Sequence, residues 1–281
     1  MSDKKRVSIV VLTSIVLISA LIVAGCASPT PAPASTPTPT PVPQTDLTVF
    51  AAASLTSAFN EIKPAFEAVQ PGASVVYNFD GSQALRTQIE QGASADVFAS
   101  ASASHMNALK NQGLMNNASV VTFTNNKLAV IVPKDNPAQV NNLADLAKPG
   151  VKIVIGTKDV PVGSYTLQIL DKMANDTAYG SAYRTAVMAN VVSQETTVNY
   201  VVSKVALGEA DAGFVYVSDV PAEYRDKVTT IAIPDSLNVI AVYPIGIVGE
   251  TKGQALAQAY IDFVRSDAGK AILTKNGFSP V

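Results

Sequence analysis

Apolar residues recur along the chain in two alternating periods. Leu47-Thr48-Val49-Phe50-Ala51 is a short apolar run, and after it Leu55, Phe59, Ile62, Phe66 and Val69 fall at helical spacing up to the stop signal Pro71-Gly72. Val75 to Phe79 reads as a second strand, Gln83 to Gln91 as a second helix closed by Gly92, and Asp96 to Ala99 as a third strand. A β-α-β-α-β order predicts a parallel sheet with crossover helices. Further strands are predicted at 128–132, 152–155, 191–192, 212–215, 228–233 and 239–248, and helices at 164–174, 178–188, 198–207 and 253–265. Pro64, inside the first helix, predicts a kink or a fresh start there.

The alternation runs too long for one doubly wound sheet, and the apolar segments 128–132 and 239–248 stand where crossing strands would. The expected fold class is therefore α/β in two lobes, each a mostly parallel sheet flanked by helices, with a ligand cleft between them. Residues 46–126 and 236–281 are expected to form one lobe and 127–235 the other.

The first 45 residues have a different character. Lys4, Lys5 and Arg6 precede an apolar and small-residue run from Val7 to Ala24 that ends in Val23-Ala24-Gly25-Cys26. This is the layout of a cationic segment, an apolar segment and a processing site, and it resembles the lipobox of a lipoprotein signal: residues 1–25 are removed and Cys26 carries lipid. The other reading is an uncleaved anchor, since 18 residues nearly span a bilayer; the small residues before the Cys favour the lipobox. Either way, the remainder is expected outside the cytoplasm, held at the membrane through Cys26. Residues 26–45 form a Pro- and Thr-rich spacer with seven prolines between Pro29 and Pro43. Such a chain is semi-rigid, rises about 3.1 Å per residue and reaches on the order of 50 Å.

Charge and composition narrow the function. Lys plus Arg is 20 against 22 Asp plus Glu, a net charge of -2, which leaves no basic footprint for a nucleic acid. One Cys and one His build neither a Cys-rich zinc site, nor a disulfide framework, nor a Cys–His catalytic pair. No catalytic residue, directly bound metal or cofactor is expected, and the chain is read as a monomer. His105 is expected to be solvated, and Asp96 to cap or orient a loop.

The candidate chemistry lies in the strand-to-helix turns. Ser54 follows the first strand and Ser82 the second, each placed to cap a helix whose first amides point outward. Val160-Pro161-Val162-Gly163-Ser164 and Thr196-Thr197-Val198 also lead into helices. Free amides at a helix start carry roughly half a unit of positive charge, so four such turns in one cleft nominally sum to about two units, which suits a dianion.

The segments Ala51-Ala52-Ala53-Ser54-Leu55, Gly81-Ser82-Gln83, Ala95 to Ala99, Val160 to Gly163 and Gly213 to Asp219 occur in an order and at spacings that resemble the molybdate-binding component of ABC importers. The likeness covers essentially all of residues 46–281. It implies a two-lobed fold of the periplasmic-binding-protein type II kind, and an oxyanion held by Ser54, Ser82, Val162, Val198 and Tyr216, the two valines acting through main-chain N–H. It further implies a ligand that is molybdate or tungstate, and a partner permease driven by a cytoplasmic ATPase. Val162 stands where the family usually has a small residue. Asp159, the acid nearest the third turn, is expected to face solvent. Three alternatives are weighed: a receptor for another oxyanion such as sulfate, a transcriptional effector, which would need a helix-turn-helix segment where this chain has a signal and a Pro-rich spacer, and an enzyme on the same fold. The one known to carry its cofactor on a Cys is disfavoured because the only Cys lies in the lipobox.

Overall fold

The computed structural model of the chain describes residues 45–281 apart from 221–223, 225 and 250. The signal segment and nearly all of the spacer therefore lie outside the described residues. In chain order the elements are β1 Thr45–Ala52, α1 Thr56–Val69, β2 Ala73–Asp80, α2 Ser82–Glu90, β3 Val97–Ala99, α3 Ala103–Asn111, β4 Val121–Asn126 and β5 Leu128–Pro133. They continue as β6 Ile153–Gly156, α4 Pro161–Asn175, α5 Tyr183–Ala189, β7 Val191–Glu195, α6 Val198–Ala206, β8 Ala212–Tyr216 and β9 Val228–Ala232. The last are β10 Ala241–Ile247, α7 Gln254–Arg265, α8 Asp267–Lys275 and β11 Ser279–Pro280.

Two separate sheets form, one ordered β11-β4-β10-β3-β1-β2 and the other β7-β6-β8-β5-β9. In the first, β1 runs parallel to both β2 and β3, while β10 and β4 add antiparallel strands beyond β3. In the second, β6 runs parallel to both β7 and β8, and β5 and β9 are antiparallel additions. Each lobe thus contains the same parallel trio, with its first strand flanked by its second and third. In such a trio the strand order reverses at the first strand, and ligands bind outside the carboxyl ends of the strands at that point. The chain passes between the sheets twice, across Lys127 and across 233–240, and Asn238 ties the two passages together. Its amide donates to the Leu128 carbonyl at 2.8 Å and its carbonyl oxygen accepts from the Leu128 N–H at 3.1 Å.

Burial explains why these segments fold as they do. Leu47, Val49, Phe59, Ile62 and Phe66 are fully or almost fully buried, which joins the inner face of β1 to the apolar stripe of α1. All six residues of β5 are buried, as a strand covered on both faces requires. Of the kink or fresh start expected at Pro64, the fresh start does not occur: α1 continues through it as one helix. Pro64 removes the N–H that Asn60 would have bonded, but both residues are exposed, so solvent meets the freed carbonyl. Helix α4 starts at Pro161, three residues earlier than the sequence predicts, with Pro in the first turn where its missing N–H costs nothing. The helix predicted at 178–188 is shorter, α5 at Tyr183–Ala189.

Candidate functional site

Outside the carboxyl ends of the two trios lies a cavity of about 20 Å³, lined by Ala52, Ala53, Ser54, Gly81, Ser82 and Ala101 from one lobe and Val160, Pro161, Val162, Val198 and Tyr216 from the other. All five residues singled out in the sequence, Ser54, Ser82, Val162, Val198 and Tyr216, meet here. The volume is on the scale of a single small ion, far below the several hundred Å³ that an organic metabolite needs. A second, polar cavity of about 450 Å³ shares Ala53 and Ser54 with it and is lined further by Thr56, Ser57, Asn60, Asn199 and Ser203.

Each wall of the small cavity is a chain turn made by a specific local feature. Beyond β1, Ala53–Leu55 forms a 3₁₀ turn that runs into α1. Ser54 sits inside that turn, not at a cap as the sequence predicts, because its hydroxyl is engaged elsewhere: Ser54 Oγ and the Tyr243 phenol are 2.9 Å apart. Ser82 is likewise the first residue of α2 with Gly81 as the cap, and its Oγ accepts from the Ala101 N–H at 3.0 Å. Val162 is the second residue of α4 and Val198 the first of α6. Amides in a first turn have no partner four residues back, so both are free to serve a ligand. Gly163 allows this packing, since a Cβ there would lie 2.0 Å from the Thr157 carbonyl oxygen.

The cavity has no charged side chain among its described lining residues. Its polarity comes from hydroxyls and from the starts of α1, α2, α4 and α6, each nominally about half a positive charge. Tyr216 is buried and its hydroxyl has no hydrogen-bond partner among the described residues. Burial pushes that phenol well above its ordinary range, so it remains protonated and able to donate. Asp219 lies beside it and accepts from the Tyr216 N–H at 2.7 Å. Burial drives this carboxyl up to about 8, against the lowering effect of that bond, so near neutral pH it carries little charge. A negative charge next to the cavity is thereby avoided.

The lobes approach closely around the cavity. Gln83 Nε2 donates to the Thr196 carbonyl at 2.9 Å, and a Cβ on Gly81 would stand 2.6 Å from that same oxygen. His105, expected to be solvated, is half-buried instead, and its Nε2 donates to the Asp159 carbonyl across the cleft at 3.2 Å. Burial holds the His105 pKa below its usual value. Asp159 itself is exposed. Asp96 fixes a loop, its carboxylate taking the Thr48 N–H at 2.7 Å and the Thr251 hydroxyl.

Tyr243 and the Ala101 amide are the site components that sequence reasoning missed. Tyr243 lies within β10, in a run of buried apolar residues, and nothing in its neighbours marks it as more than core. Only the pairing of β10 beside β3 brings it to Ser54.

Comparison with known proteins agrees with this architecture. Residues 47–279 match the family model for bacterial extracellular solute-binding proteins. The molybdate-binding protein of Mycobacterium tuberculosis H37Rv is 38% identical over 268 residues, which cover 95% of this chain and 96% of the relative. In fold, the chain resembles the periplasmic molybdate-binding protein of Azotobacter vinelandii, with a TM-score of 0.71 at 24% identity over 83% of this chain and 98% of that one. It resembles the M. tuberculosis sulfate-binding protein as closely, with a TM-score of 0.76 at 16% identity over 85% of this chain and 88% of that one. The two-lobed fold, the paired parallel trios and the sequence match over nearly the whole described region establish that the chain belongs to the bacterial extracellular solute-binding proteins.

Proposed function

We propose that this protein captures molybdate, and tungstate with it, in the small cavity between its lobes, and delivers the ion to a membrane permease driven by a cytoplasmic ATPase. The observation that carries this reading is the meeting of Ser54, Ser82, Val162, Val198 and Tyr216 around one ion-sized, uncharged cavity. A tetrahedral dianion has only acceptors, and here it would meet two serine hydroxyls, a phenol and main-chain amides, each bond charge-assisted. The 38% identity to a molybdate-binding protein supports molybdate as the ion, whereas the fold alone is shared with a sulfate-binding protein.

In the same reading, residues 46–126 with 236–281 form one lobe and 127–235 the other, which fits the membership of the two sheets. Cys26 carries the lipid that keeps the monomeric receptor at the outer face of the membrane. Elemental analysis of protein purified without refolding tests the assignment. The expected result is about one molybdenum or tungsten atom per chain after loading with either oxyanion; a chain that retains neither overturns it.

A further inference from the structure

Both serines of the cavity have a hydrogen-bond partner behind them. The Ala101 N–H can only donate, so Ser82 Oγ is the acceptor of that 3.0 Å contact and its own proton is directed elsewhere. The Ser54–Tyr243 contact, 2.9 Å between two hydroxyls, is open in either direction while the cavity holds no ion. An anion in the cavity decides it. Ser54 has one proton, and a charge-assisted bond to an oxyanion is roughly twice as strong as a bond to a neutral phenol. The proton therefore turns to the ion, and the remaining bond of the pair can only run from the Tyr243 O–H to Ser54 Oγ.

Tyr243 is fully buried and its ring is fixed by edge-on contacts with Phe123, Tyr216 and Phe278, at centroid distances of 6.5, 5.8 and 5.5 Å. It does not line the cavity; Ser54 is the wall residue that its hydroxyl bonds, and that bond is its route to a ligand. We propose that Tyr243 is a positioning residue for the oxyanion, its phenol donating to Ser54 Oγ so that the serine proton is held toward the cavity. Hydrogen bonds in a chain polarise one another, so a Ser54 hydroxyl that accepts from Tyr243 is also the stronger donor to the ion. The inference rests on the site reading above and adds to it a residue that does not touch the ion.

The test is a double-mutant cycle with Tyr243→Phe, Ser54→Ala and the two combined, read as the molybdate Kd by calorimetry. Phenylalanine keeps the ring contacts and removes only the hydroxyl. Tyr243→Phe is expected to weaken binding about two- to tenfold when Ser54 is present and to leave the Kd unchanged in the Ser54→Ala background. Without ligand, the double variant is also expected to melt higher than Ser54→Ala alone, because the second substitution removes an orphaned buried hydroxyl. Equal losses in both backgrounds would mean that the hydroxyl serves packing alone and would overturn the proposal, as would no loss in either. If Ser54→Ala itself leaves the Kd at the wild-type value, Ser54 does not hold the ion, and this inference falls with that part of the site reading.

Discussion

Ser54→Ala and Ser82→Ala are each expected to weaken molybdate binding roughly ten- to a hundredfold, corresponding to about 1.5–3 kcal/mol for a hydrogen bond to a charged acceptor. Each also disturbs the unliganded protein. Ser82→Ala strips the Ala101 N–H of its acceptor, and Ser54→Ala strips the buried Tyr243 hydroxyl of its partner. A buried polar group left unpaired costs about 1–3 kcal/mol, so both variants should melt below the wild type before any ligand is added. Tyr216→Phe behaves oppositely. Its hydroxyl has no partner among the described residues, so removing it should leave stability unchanged or raised while affinity falls. Calorimetry beside unliganded thermal melts separates these outcomes. Unchanged molybdate affinity in both serine variants would remove the site assignment.

Selectivity gives the second large effect. Molybdate and tungstate are expected to bind far ahead of sulfate, with phosphate last. Phosphate near neutral pH carries at least one P–OH, and that proton needs an acceptor. The amides at the starts of α2, α4 and α6 offer none; a hydroxyl of Ser54, Ser82 or Tyr216 can turn to accept, so rejection is strong but not absolute. Asp159 is exposed and Asp219 does not line the small cavity. Sulfate brings only acceptors, as molybdate does, and is excluded by size, since a smaller ion leaves some donors beyond bonding reach. Ligands that bind only the native state raise its stability by about 2.7 kcal/mol at a hundred times Kd. A thermal-shift series at equal concentration should therefore rank the anions in that order. A larger shift with sulfate or phosphate than with molybdate would favour the other oxyanion reading.

The parts of the site legible in the sequence are those that local chemistry marks. Ser54 and Ser82 stand out because each follows a short apolar strand and opens a helical period, and the turn at 160–164 because Pro161 and Gly163 lead into a helix; Val162 and Val198 themselves are reached through the likeness to a family. Tyr216 has no such local mark and is found through the likeness of its Gly213–Asp219 segment to a family. What escaped is set by contacts distant in the chain. β4 carries weak alternation and ends in Asn125 and Asn126; it is a strand because it pairs with β10, which lies far later in the chain. α8 buries only Gly269 and Leu273, too little for a visible apolar stripe. Tyr243 looks like core until β10 is placed next to β3. His105 reads as solvated until the lobes meet and bring the Asp159 carbonyl to it. The capping role expected of both serines failed for a related reason: a hydroxyl that can bond a helix amide can equally bond a tertiary partner, and the tertiary partners won.

The most direct measurement of the central claim is a crystal structure of the molybdate-loaded protein with the anomalous signal of molybdenum recorded. One strong peak is expected inside the small cavity, with oxyanion oxygens about 2.5–3.0 Å from Ser54 Oγ, Ser82 Oγ and the Tyr216 hydroxyl. A peak in the larger polar cavity beside Asn60 and Asn199, or none between the lobes, would contradict it.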